Sequence, residues 1–110
     1  MNRAAFISTF ETNLAETNAL IAKRPTGFCI ANLDRTLALI TIGAVFRFGA
    51  PISPNVQVCA TVAQAERVAA RWNKNLPEAA SGSKVRVVGQ RKMLTDYARI
   101  QTDLIKRLSA

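Results

Sequence analysis

Between Arg35 and Arg47 the chain runs through TLALITIGAVF without a single charge. A membrane-crossing helix needs about 20 apolar residues, so this stretch is too short and is bracketed by arginines. Its first part, Leu37 to Ile42, is apolar at both odd and even positions. A strand with that pattern must be covered on both faces, either within the chain or when subunits associate. A buried helix from Leu33 to Phe46 is the rival reading, since periodicity cannot separate the two over so short a run. On the strand reading, Gly43 marks a bulge or bend.

The flanking segments fix the rest of the order. Ala4 to Ala22 carries Phe6, Phe10, Leu14 and Ile21 at helical steps, with Ile7 and Leu20 widening the stripe. Lys23 and Arg24 suit the negative end of that helix, and Pro25 with Gly27 stops it. Phe28 to Ala31 reads as a strand, joined to Leu37–Ile42 through a turn that uses Asn32 and Asp34. Gly49, Pro51 and Pro54 form a connector to a short strand, Val56 to Ala60. Thr61 and Gln64 make a capping box that opens a helix to about Asn75. Pro77 and the Ala79 to Ser83 segment are a loop, Lys84 to Val88 a strand, and Arg91 to Leu108 a last helix. Its apolar face is Met93, Leu94, Tyr97, Ile100, Leu104, Ile105 and Leu108.

The expected fold is therefore α+β, one domain over residues 1–110. It is a two-layer α/β sandwich of order α-β-β-β-α-β-α, with a mixed four-stranded sheet and helices mainly on one face. The β-α-β portion from Val56 to Val88 would form a parallel crossover. At 110 residues and 49% hydrophobic, the chain can bury a core without metal or disulfide support. Its N-terminal segment has no secretory character, because Glu11 and Glu16 interrupt it. Cys29 and Cys59 read as reduced thiols in strands, which points to a cytoplasmic location.

Charge bounds the function. There are fifteen Lys and Arg, seven Asp and Glu, and no His, for a net +8. Without histidine the usual general base and metal ligand is missing, and neither cysteine has an activating base. The seven carboxylates form no motif, and two cysteines make a poor zinc site. No enzyme, metal or cofactor is expected. Val56 to Ala110 holds ten basic residues against four acids, whereas Met1 to Asn55 holds five against three. Arg67, Arg71 and Lys74 share a helix face by their spacing, and Lys84 with Arg86 share a strand face. These five are the candidate anion-binding or nucleic-acid-binding surface, acting by phosphate neutralisation; an ordinary solvated face is the competing reading. Phe46 and Phe48, with Arg47 on the opposite face, are a candidate stacking platform or subunit contact, with packing the alternative. Phe6, Phe10 and Tyr97 fit core positions of helices.

The leading expectation is a small basic intracellular protein that binds nucleic acid, or a nucleic-acid-handling assembly or acidic protein surface, without catalysis. A homo-oligomeric assembly module, a dimer or higher, covering Leu37 to Phe48 against a second subunit is the alternative. A third is a non-catalytic site for a nucleotide-like anion between subunits. No membrane partner is expected.

Overall fold

The computed structural model describes residues 2–32, 37–42, 45–74 and 84–110. The elements are α1 (Arg3–Ala22), β1 (Phe28–Asn32), β2 (Ala38–Ile42), β3 (Val45–Gly49), β4 (Val58–Cys59), α2 (Val62–Lys74), β5 (Val85–Gly89) and α3 (Gln90–Ser109). The α+β class is as expected, and residues 38–42 and 45–49 are strand rather than helix. The turn expected at Asp34, the bend at Gly43 and the loop with Pro77, Gly82 and Ser83 lie outside the described residues.

The sheet differs from expectation in number and sense. It has five strands, and every pairing is antiparallel. The apolar run does not stay one strand: it folds back, with Leu39 opposite Phe48 and Ile40 opposite Arg47. Twelve residues exceed the usual strand length, so two shorter strands satisfy more backbone groups side by side. The expected β-α-β crossover is formed, but its strands do not pair: β4 and β5 run parallel to one another with β1 between them. β4 pairs with one edge of β1 and β5 with the other, each antiparallel to it.

Residues 55–59 act as a wedge where β1 and β2 diverge. Thr41 N–H donates to the Asn55 carbonyl (2.9 Å) and Gln57 N–H to that of Leu39 (3.0 Å). Two residues later the same segment pairs Val58 with Cys29 and Cys59 with Phe28. The backbone polar groups of the splayed strands are thereby satisfied by a third piece of chain. Gly27 is required at this junction. A Cβ there would run into the Val58 side chain and come within 3.2 Å of the Cys59 carbonyl oxygen.

Helices cover both faces of the sheet, not mainly one. Directly opposed residues of antiparallel strands point the same way. Ile30, Leu39, Val85 and Val87 thus share a face, packed with Phe48 and with Ala69, Val68 and Trp72 of α2. Ala31, Ala38 and Val88 share the other, packed with Val56 and with Met93 of α3. This is why β1 and β2 are apolar at successive positions: Cys29, Ile30 and Ala31, and Ala38, Leu39 and Ile40, are all buried within one chain. Ala38, Leu39 and Ile40 of β2 need no second subunit to cover them.

On the second face α3 is accompanied by α1, which packs on α3 rather than on the sheet. The two run antiparallel, since α1 ends and α3 begins beside the Gly27 carbonyl, which accepts from Gln90 N–H at 2.8 Å. Asn2 caps α1 by accepting from Ala5 N–H at 2.7 Å. Arg24, with φ of 53°, terminates it in the left-handed region. At the centre of the seam Thr17 is fully buried, its hydroxyl donating to the Asn13 carbonyl at 2.6 Å. Gln101 is buried too, and its Oε1 has no hydrogen-bond partner among the described residues. Phe6, expected in the core, is 38% exposed, with Phe10 stacked on it at 6.4 Å. Phe10 and Tyr97 are half-buried.

Candidate anion-binding surface

The α2 helix begins as its sequence specifies. Thr61 N–H donates to Gln64 Oε1 (3.3 Å), and Gln64 N–H donates to Thr61 Oγ1 (3.2 Å), closing the capping box. Ala65 and Ala69 then sit buried against the sheet, flanked by Val68 and Trp72. A helix pinned by that face must turn positions 64, 67, 71 and 74 outward, because each lies roughly 140–160° around the axis from Ala69. Arg67, Arg71 and Lys74 are indeed all exposed. Glu66 lies nearer the buried side, so the outward row carries no acid. Arg71 and Lys74 also occupy the last turn, where the helix dipole favours positive charge.

Arg67 and Arg71, with Gln64 and Val68, line a shallow groove of about 390 Å³. Two guanidinium groups and a side-chain amide offer several donors beside one half-buried apolar side chain. Such a set matches a phosphate attached to something with an apolar face. Among the described residues the ion pairs are those of Asp96 with Lys92 (3.9 Å) and Arg99 (3.5 Å), both on α3. None of the α2 cations is neutralised in that way.

The five cations singled out by the sequence do not form one plane. Val85 and Val87 face α2, so the alternation of β5 sends Arg86 to the opposite side of the sheet, level with Ala31. Lys84 precedes Val85 and continues that alternation. Both are exposed. Three cations thus lie on the outside of one helical layer, and two belong to the other face. Arg47 also points to that other face, opposite Ile40, and is exposed. Phe48 is turned inward, its ring edge-on to Trp72 at 5.9 Å, and serves the core rather than a stacking platform. The side chain of Phe46 lies outside the described residues.

Gln64 escaped the sequence reading as a surface residue because it was assigned to capping alone. Its spacing of three and seven from Arg67 and Arg71 was the available signal. The cysteines are free, and neighbouring strands carry them. Cys29 opposes Val58 and Cys59 opposes Phe28, so the thiols point to opposite faces. Burial, and secondarily the neighbouring Cys59, push the Cys29 thiol up to about 11. Among the described residues no three His, Cys, Asp or Glu lie together so as to hold a metal ion, and no helix is long and apolar enough to cross a membrane. No family model, curated protein or solved structure matches the chain.

Proposed function

We propose that this protein is a non-catalytic binder of nucleic acid, or of an assembly that handles it, and that it makes contact through the outward face of α2. The observation that carries the reading is the Arg67, Arg71, Lys74 row, exposed, free of acidic partners among the described residues, and bordering a groove. Its contacts neutralise phosphates rather than read bases, so affinity falls steeply with salt. Lys84 and Arg86 belong to a separate patch and are not required. Two unpaired thiols on opposite sheet faces fit action in the reducing cytoplasm. The amide and the half-buried Val68 of the groove favour one further reading, a nucleotide-like anion held without turnover.

Fluorescence anisotropy with short single- and double-stranded oligonucleotides, at low and physiological salt, tests the proposal. Binding should be salt-sensitive, lost in Arg67→Glu/Arg71→Glu and retained in Lys84→Glu/Arg86→Glu, each shown folded by circular dichroism. Binding that survives the α2 reversal, or never occurs, refutes it. Mass analysis of small molecules released from heat-denatured protein separates the nucleotide reading.

A further inference from the structure

Around the α2 axis, Lys74, Arg67 and Arg71 fall within roughly 60° of one another, at the crest of the outward face. One flank of that crest is Ala63 and Ala70, both exposed; the other is Gln64 and Val68. Beyond the alanines comes Glu66, also exposed, whose carboxylate repels phosphate on that side. No cation of α2 stands on either flank. A helix seated in a duplex groove turns its crest to the base edges and its flanks to the two phosphate walls. Roughly half or more of the hydrogen bonds of such an interface go to the backbone. Here the flanks offer two methyl groups, an amide, a valine and an acid. All the cations are on the crest, so it is the crest that meets the backbone.

The polar side chains of the groove also present donors alone. Arginine has no acceptor. Gln64 has one, but its Oε1 is turned back to accept from Thr61 N–H at 3.3 Å, which leaves Nε2 for the groove. Base edges mix donors with acceptors, whereas phosphate oxygens only accept. The one aromatic ring of α2, that of Trp72, is turned to the sheet, edge-on to Phe48 at 5.9 Å, and so gives a base nothing to stack on. Along the axis Arg67 and Arg71 are about 6 Å apart, and Arg71 and Lys74 about 4.5 Å, a line one strand wide. We propose that this row takes three consecutive phosphates of one strand, free or within a duplex, without entering a groove, reading a base or stacking on one. This footprint rests on the nucleic-acid reading of α2 and sets its size and its indifference to sequence.

Anisotropy titrations across a range of salt test it, with each variant shown folded by circular dichroism. The logarithm of the binding constant should fall against that of salt with a slope of about −2 on short single strands and about −3 on short duplexes, the values for three phosphates. Arg67→Gln, Arg71→Gln and Lys74→Gln should each make the slope shallower by about 1. Gln64→Glu keeps the acceptor that Thr61 N–H needs, and with it the helix start, but sets a carboxylate in the groove. It should lower affinity about as far as the loss of one cation does. Duplexes of A·T pairs alone and of G·C pairs alone should bind within about threefold of each other. A preference of about tenfold or more for G·C would put the guanidinium groups on guanine edges and overturn the footprint while leaving the nucleic-acid reading intact. Single variants that bind with an unchanged slope would do the same. Absence of binding to every strand removes both.

Discussion

Asn73 grips Val85 by both polar atoms of its backbone: Nδ2 donates to the Val85 carbonyl (3.0 Å), and Oδ1 accepts from the Val85 N–H (2.8 Å). A side-chain amide at the end of α2 thus imitates one rung of a further strand on the outer edge of β5. It blunts an edge that would otherwise present those groups for pairing with another chain. It also fixes the end of α2 that carries Lys74.

Asn73→Ala should leave both Val85 groups without a protein partner and cost about 1–3 kcal/mol. Asn73→Asp keeps the acceptor, loses the donor and should fall between the two. Urea denaturation followed by Trp72 fluorescence measures this, with an unchanged m-value showing that the loss is one of stability.

Arg24 holds a left-handed conformation that costs a residue with a Cβ about 1–2 kcal/mol. Glycine adopts it freely and is the commonest residue just past a helix end. Arg24→Gly should raise stability by about 1 kcal/mol and increase the thermal midpoint by several degrees. An unchanged or lower midpoint would mean that the guanidinium compensates for the strain.

Gln101 buries an acceptor that no described donor satisfies. Gln101→Met removes that acceptor with little change in volume and should stabilise the chain by about 1 kcal/mol. Destabilisation in chemical denaturation would show that the amide is satisfied in solution.

The Cys29 thiol, raised to about 11, keeps its proton in the folded chain while the unfolded chain releases it above about 9. Across that window the native state binds more protons, so stability must fall as pH rises and then level off near 11. The loss should be on the order of 2 kcal/mol. Tyr97, shifted in the same direction, adds to it. Cys29→Ala should flatten the alkaline slope without abolishing it. At neutral pH a thiol reagent should modify half-buried Cys59 well before Cys29, as peptide mass mapping would show.

The helices were legible because their signals are local. The capping box at Thr61, the stop after Arg24 and the apolar spacing of α3 place all three within a residue or two. The sheet was less so. Nothing near Leu37 says that Leu39 will face Phe48, because that choice depends on how much chain β1 leaves to be paired. The same distinction divides the candidate site. Arg67, Arg71 and Lys74 share a face by helical spacing alone. Whether Arg86 joins them depends on which valines of β5 the helix covers, and it covers Val85 and Val87. Phe6 fits the apolar stripe by spacing but sits near the end of the helix pair, where little lies over it.

The pairing of α1 with α3, and of β1 with β5, joins segments separated by most of the sequence. α1 and β1 are synthesised well before the partners that cover them. Until the C-terminal segment arrives, the Phe10, Leu14 and Ile21 stripe has nothing to pack on, and β1 lacks β5, one of the three strands it pairs with. Closing such long loops is slow, because the entropy is lost before the contacts are gained. The architecture therefore predicts a folding reaction gated by its last helix, in which a chain cut before Gln90 would retain native strands only weakly and aggregate through its uncovered first helix.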